Sequence, residues 1–516
     1  MNRVAVEQRA IAPVEPNRRA GWRAWWAKAD RGLVVLIALY VLSLPFVTHR
    51  ITASDAIEYY SYDRSLYFDH DLNFFNDYQG FIDRNPRGLA GFRQPFLVII
   101  NDDGTETPNV TATGHAVNFG PIGSAILWAP FFVAGDLAAR ALRAVGFHVA
   151  VDGFSAPYIW AVSLGSAIWA GVALVLSYLL AKAITGARVA FAAAMVAWLG
   201  TPALFYSHLA PTYSHAPSWF AAALFLTIWY RTRAGEAGQS TRTWRGWLAL
   251  GLAGGLMGLV REQDAVFVIV PAVDEALRLL PGLRRLTPLW WRDLGRTALG
   301  GIVMGTAAFV AFTPQLAVYK TLYGDFRPSS DVSQKMHYNA PNGLRVLFNP
   351  EHGLFLWTPA LLLAVIGLGL LIRRDARLGL ALCTGLVLTW YLNGAIQTWS
   401  TAGAFGARRF IVCTPIFAVG FAEAFRVLGM RVRTPQLRTR FRWWLPVFVA
   451  AAIYWNLGYI TQFVLQSNGP DTRQRLIYPD VLVNQVTTVP VDLARNAWKV
   501  VANRDAFYQG GKGYGK

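Results

Sequence analysis

Cysteine is almost absent. Cys383 and Cys413 are the only two in 516 residues, and both sit inside apolar runs. A disulfide framework, a zinc site and a thiol nucleophile are therefore without support, and the expectation is two inert membrane-buried thiols. Carboxylates are scarce as well: 30 Asp and Glu against 48 Lys and Arg leave a formal net charge of +18. Long polar stretches are few. With 54% hydrophobic and 14% aromatic residues, the chain is too apolar for soluble domains of this size. No repeat of 20–50 residues is evident. What is present is a series of runs almost without charge, and runs of about 20 apolar residues are what a bilayer core demands. The first, 33–48, follows a basic, Trp-rich stretch without a clear small-residue cleavage site, so it reads as an anchor and not as a cleaved signal.

The location of the positive charge decides what it means. Before the first run lie Arg3, Arg9, Arg18, Arg19, Arg23, Lys28 and Arg31. Further clusters are Arg231 to Arg245, Arg278 to Arg296, Arg373 to Arg377 and Arg426 to Arg442. Each falls in a short linker between apolar runs, the pattern of loops kept on the cytoplasmic side. By contrast, Arg50–Val117 carries ten carboxylates against five arginines and reads as external. The charge therefore reports topology and contact with anionic lipid, with no nucleic-acid partner.

These patterns predict an all-α polytopic membrane protein of about eleven spans. The spans are expected at 33–48, 157–181, 189–206, 216–230, 246–260, 264–280, 297–318, 355–372, 378–395, 407–425 and 444–465. A cytoplasmic N-terminus then puts every basic cluster inside and the C-terminal tail outside. The apolar stretch Phe119–Leu142 is left over and would invert the later linkers if it crossed. It is expected to lie along the outer face, its helix broken by Pro121 and Pro130. The domain reading is a basic cytoplasmic segment over 1–32, a transmembrane domain over 33–465 and a short external tail over 466–516. External loops are expected at 49–156, 207–215, 319–354 and 396–406.

The outer loops hold the chemistry-bearing residues, whereas the spans are nearly uncharged. A proton-driven carrier would instead place ionisable groups at mid-bilayer. Only Arg261-Glu262-Gln263-Asp264 interrupts an apolar stretch, and it falls at an outer end.

Several segments carry a family resemblance. Ser54-Asp55-Ala56-Ile57-Glu58-Tyr59-Tyr60, just past the first span, resembles the first external loop of GT-C glycosyltransferases. These are bacterial polyprenyl-phosphate-sugar-dependent enzymes related to the protein O-mannosyltransferases and the lipid A aminoarabinose transferase. The segments 66–74, 118–123 and 349–355 are similar to the same group, and 399–410 resembles its late Trp-Gly-Arg element. The resemblance runs from Leu33 to about Leu465. One departure is the second external loop, Pro211-Thr212-Tyr213-Ser214-His215-Ala216, where many relatives carry an acidic residue.

The resemblance implies a GT-C-like fold in a bacterial inner membrane and a lipid-phosphate sugar donor, with a hydroxyl or similar group as acceptor on a lipid, glycan or protein. Such a reaction needs one base near the acceptor and positive charge on the departing phosphate. Asp55 is expected to be the base; its alternative is a solvated loop aspartate. Glu58, one turn on, would share the site or orient Asp55. Arg261, Arg408 and Arg409 are expected phosphate ligands, because a guanidinium makes bidentate contacts and stays charged in apolar surroundings. Their alternatives are a boundary ion pair for Arg261 and interfacial snorkelling for the other two. Lys320, Lys335 and His337 would reach the phosphate or cover the site. Tyr59, Tyr60, His215 and Trp399 suit sugar or acceptor binding, although aromatic belts at membrane interfaces are the ordinary reading. Asp69-His70-Asp71 matches a weak metal-binding pattern, so a divalent cation stays open and no other cofactor is expected. The competing classes are a transporter or lipid flippase and a non-catalytic partner in envelope assembly.

Overall fold

The computed structural model describes residues 30–51, 53–86, 89–235, 241–329, 334–401, 404–430, 435–466 and 478–502. The basic residues before Asp30, the end of the tail and part of the Arg426–Arg442 cluster lie outside the described residues. The described chain is helical but for one antiparallel hairpin, β1 (Val98–Ile100) with β2 (Glu106–Pro108).

Helix α1 spans Arg31–Ser43. After it come α2 (Ser54–Arg64) and α3 (Phe75–Arg84) in the first large loop, then α4 (Gly123–Ala144). The bundle continues with α5 (Ala156–Thr185), α6 (Ala187–Leu199), α7 (His215–Arg231), α8 (Trp244–Val260) and α9 (Ile269–Leu279). Its second half holds α10 (Pro288–Tyr323), the short α11 (Gly343–Phe348), α12 (Leu361–Arg374) and α13 (Ala376–Ala395). The chain closes with α14 (Thr414–Met430), α15 (Pro435–Gln466) and two tail helices, α16 (Asp480–Thr487) and α17 (Val489–Ala502). Six segments among the described residues are long and apolar enough to cross a membrane: α4, α5, α10, α13, Arg408–Met430 and Trp443–Leu465. Three shorter apolar helices, Arg31–Phe46, Ala187–Leu199 and Trp244–Val260, accompany them.

Small residues let the helices approach. A Cβ at Gly367 of α12 would overlap the Gly420 carbonyl of α14, and one at Gly123 would overlap the backbone of Leu259 at the end of α8. In a bilayer, where burying apolar surface gives no helix–helix drive, such close backbone contact is a main source of association.

One set of ion pairs gathers at one end of the bundle. Asp30 caps α1 by accepting from the Leu33 amide at 3.2 Å and takes Lys182 of α5 at 2.6 Å. Arg374 joins Glu423 at 2.8 Å and donates to the Ile184 carbonyl. Arg233 bridges Asp274 at 3.0 Å and Asp375 at 3.5 Å, while Arg278 is buried between Glu275 and Asp293. A buried guanidinium persists only with such partners. Many of the basic linkers expected in the cytoplasm thus meet at one end. Asp55, His215, Arg261 and Arg408 occupy the other.

Helix α4 has the length and apolarity of a span, yet both its flanks are bonded to the same loop layer. Before it, the Tyr62 hydroxyl donates to the Gly120 carbonyl at 2.9 Å. After it, Tyr60 donates to the Gly153 carbonyl at 2.5 Å and Arg64 Nε to the Asp152 carbonyl at 3.1 Å. The segments before and after α4 thus bond to one loop layer, while the helix between them has the length and apolarity of a span. One correction is needed. Pro130 lies inside an unbroken α4 and does not end it. The helix packs on α5, where Trp169 Nε1 donates to the Leu127 carbonyl and Tyr158 to Asp136, and such neighbours offset the hydrogen bond that proline removes.

Candidate active site

Asp55 lies in the first turn of α2, where the aligned backbone dipoles favour a carboxylate. Its Oδ2 accepts from Arg408 Nη1 at 2.8 Å, and Ser54 Oγ lies 3.3 Å from Oδ1. Arg408 is presented by a tight turn. Gly406 there has φ +58°, a left-handed conformation that glycine adopts without Cβ strain, and it sits against Pro202 and Trp357. The Tyr206 hydroxyl holds the turn by donating to the Phe405 carbonyl and accepting from the Phe405 amide, at 3.1 and 3.0 Å. The Arg408 guanidinium also lies over the Tyr213 ring.

Arg261 enters the same region from the end of α8. Its Nη1 lies 2.8 Å from His215 Nδ1 and 3.4 Å from Ser214 Oγ, and Ser214 Oγ donates to the Tyr59 hydroxyl at 3.1 Å. Because a guanidinium only donates, Nδ1 accepts, and the His215 proton is assigned to Nε2. That Nε2 is buried and makes no hydrogen bond among the described residues. The Arg261–Asp264 contact is long, 4.0 Å, and Asp264 accepts a closer bond from Ser218 at 2.5 Å.

Burial acts against the charge of Asp55, but Arg408 and Arg261 outweigh it and hold the carboxyl below its usual range. Glu58 goes the other way. Burial first, and the negative charge of Asp55 second, push it up to about 8. Its Oε1 accepts from the Phe119 amide at 2.7 Å, and Asn118 Nδ2 donates to the Glu58 carbonyl at 3.0 Å. Asn118 Oδ1 in turn accepts from the Gly120 amide, which fixes the Asn118–Gly120 turn beside α2. A cavity of about 140 Å³ opens there, lined by Tyr59, Asn118, Arg261, Glu262, Gln315 and Tyr319 among others. Burial pushes Glu262 up to about 7. The Tyr319 hydroxyl is buried and makes no hydrogen bond among the described residues.

The structure thus brings together Asp55, Glu58, Tyr59, His215, Arg261 and Arg408 from four separate stretches of sequence. It does not bring in every candidate. Tyr60 points into the loop core, against Phe81 and Phe132. Exposed Lys320 donates to the Gly324 carbonyl at 2.8 Å and closes the end of α10. Arg409 turns away from Asp55 and donates to the carbonyl and hydroxyl of Thr398, at 2.9 and 2.8 Å. Trp399 lies on that same side, under Arg345. Asp69 is engaged by Arg64 and Asn76, and Asp71 accepts from Ser65 and the Asn73 amide. Both carboxylates hold the loop. Among the described residues no group of three or more His, Cys, Asp and Glu side chains is placed to hold a metal ion. Lys335 does face the site: it lies over Phe119, and its charge acts on Glu58.

Residues 150–290 match the family described as dolichyl-phosphate-mannose-protein mannosyltransferase. That stretch contains Tyr213, Ser214, His215, Arg261 and Glu262, one part of the cluster just described. The likeness to that family is confined to this stretch of the chain. Two solved structures also resemble this chain loosely: ArnT from Cupriavidus metallidurans in the apo state and the same protein bound to undecaprenyl phosphate. Each is 14% identical, with a TM-score of 0.43, and the alignments cover 95% of this chain and 79% and 76% of the respective ArnT chains. No curated protein matches the sequence.

Ser214 and Tyr206 are not legible from the sequence as parts of the candidate site. Their only sequence signal was proximity: Ser214 precedes His215, and Tyr206 lies just before the Pro211–Ala216 loop.

Proposed function

We propose that this enzyme takes a sugar from a polyprenyl-phosphate donor and passes it to a cell-envelope acceptor on the outer face of a bacterial inner membrane. Asp55 acts as general base. The observation that carries the reading is the 2.8 Å Asp55–Arg408 pair standing beside Arg261. A carboxylate kept ionised by two arginines is available to take a proton, and the same arginines suit a phosphate. The donor class is supported by the family description, which names a lipid-phosphate mannose.

In this reading the acceptor hydroxyl gives its proton to Asp55, and its oxygen bonds the anomeric carbon. The bond from that carbon to the phosphate oxygen breaks, and the electron pair stays on the departing phosphate. Arg261 and Arg408 receive that charge. The donor phosphate competes with Asp55 for Arg408, which makes the carboxylate more basic once the donor is bound. Direct attack without a covalent intermediate gives inversion. The His215 Nε2 proton is a donor for a phosphate or sugar oxygen, and Tyr59 with Tyr319 lines the cavity where the sugar fits. The accompanying topology has the N-terminus cytoplasmic and the C-terminus external.

The test is transfer by the purified protein in lipid nanodiscs, given radiolabelled polyprenyl-phosphate sugars and a cell-envelope extract. Label appearing in extract material with release of polyprenyl phosphate supports the reading. Absence of transfer from every donor offered, by protein that remains folded, overturns it.

A further inference from the structure

Across the Arg408–Arg409 backbone from Asp55 lies a second positively charged cleft. It is lined by Arg345 of α11, Asn393 of α13, Trp399, Thr401 and Arg409. Adjacent Cα atoms are about 3.8 Å apart, so the two guanidiniums that leave this backbone on opposite sides serve neighbouring spaces. Neither arginine of the cleft forms an ion pair among the described residues, although the charge of Asp55 also acts on Arg409. Arg409 is bonded to the neutral Thr398, and Arg345 to the side-chain oxygen of Asn342 at 3.4 Å, with its guanidinium over Trp399. Asn393, only 6% exposed, has its Nδ2 buried without a hydrogen bond among the described residues. Two guanidiniums outside any ion pair and an unused buried donor on one cleft call for an anion, since a buried donor without an acceptor is costly.

We propose that Arg345, Arg409 and Asn393 form a second anion subsite that takes a phosphate group. It rests on the glycosyltransferase reading above and extends it. The enclosed part of the cleft is only about 10 Å³, too small for a sugar. The phosphate oxygens therefore sit at the mouth, between exposed Arg345 and half-buried Arg409, with one reaching Asn393. Two sources share this chemistry: a phosphate borne by the acceptor, and the second phosphate of a diphosphate-linked donor. Arg345 bonds to Asn342 and stacks on Trp399, away from the Asp55–Arg261–Arg408 cluster, so its removal separates the two sites.

The experiment uses the full chain in nanodiscs, comparing wild type with Arg345→Ala, Arg345→Lys and Asn393→Asp. One arm titrates undecaprenyl phosphate and undecaprenyl diphosphate by direct binding. The other measures transfer against envelope extract with and without prior phosphatase treatment. If the donor supplies the second phosphate, Arg345→Ala weakens the diphosphate about tenfold or more and leaves the monophosphate unchanged. If the acceptor supplies it, both lipids bind as in wild type, acceptor KM rises about tenfold, the scale of one lost charge-assisted bond, and phosphatase treatment of the extract abolishes that difference. In either case Arg345→Lys recovers part of the loss and Asn393→Asp worsens it by adding a like charge. Wild-type behaviour of Arg345→Ala in both arms overturns the subsite, as does equal weakening of both lipids. Diphosphate binding that depends on Arg345 in a protein that transfers nothing would sink the catalytic reading and leave the subsite standing.

Discussion

Asp55 and Arg408 are 353 positions apart in sequence and 2.8 Å apart in space. The contact joins the first turn after the first apolar helix to the entrance of a late one. It gives that end of the bundle an ionised carboxylate with a guanidinium that can be shared with phosphate. The consequences are measurable.

Removing Arg408 should move the acid side of the pH–rate profile. Arg408 and Arg261 hold Asp55 below the usual carboxylate range against the opposing effect of burial. Without Arg408 the carboxyl pKa rises, so Arg408→Gln should lose transfer at a higher pH than wild type as the medium is acidified. The check is kcat/KM followed from neutral pH into the acid range, at equal expression and with folding monitored by circular dichroism.

The alkaline side should report Glu58. Its fold-favoured form is the neutral acid, so the stability that comes from this preference is present at low pH. It declines as pH rises from the ordinary glutamate range through about 8. Ionised Glu58 puts a second negative charge beside Asp55 and weakens donor phosphate binding. Glu58→Gln keeps the acceptor oxygen for the Phe119 amide and should flatten the rise of donor Kd above about pH 8. A Kd that rises as in wild type would assign the effect to another group.

Arg261→Ala should weaken undecaprenyl phosphate binding by about 2 kcal/mol, the scale of a charge-assisted hydrogen bond. Lys320→Ala should leave binding and transfer unchanged, because Lys320 only closes the end of α10 at the surface. Binding measured on both variants in the same preparation separates a site arginine from a loop cation.

Gly123→Ala should destabilise the protein by about 1–3 kcal/mol, the usual cost of overpacking. Its Cβ would overlap the backbone at Leu259, two residues before Arg261. The variant should therefore lower the thermal midpoint and raise donor Kd together. A lowered midpoint with unchanged donor Kd would show that α4 does not help place Arg261.

Much of this was legible in the chain itself because bilayers impose simple rules. Uncharged runs marked the helices. The basic linkers marked one side, and they now share ion pairs, as Arg233 does with Asp375 of a later linker. The acidic loop after α1 marked the other side. The family resemblance, with placement at the ends of apolar runs, pointed to Asp55, Arg261 and the Arg408–Arg409 pair. It did not show which way each side chain turns. Arg408 and Arg409 are chemically equivalent neighbours, and only the turn at Gly406 aims one at Asp55 and the other at Thr398. Tyr59 and Tyr60 differ for a similar reason: successive positions on α2 are about 100° apart, so one meets Ser214 and the other packs on Phe81. Pro130 misled because a proline normally ends a helix, whereas here α5 supports the weakened turn.

The most direct test of the central claim is single-turnover sugar transfer from a polyprenyl-phosphate donor by wild type and Asp55→Asn, with donor binding measured in parallel. The account predicts a rate lower by about 10²–10⁴, the usual contribution of a general base. Donor binding should stay intact or tighten, because Arg408 is released to the phosphate. Transfer at the wild-type rate by Asp55→Asn would contradict it.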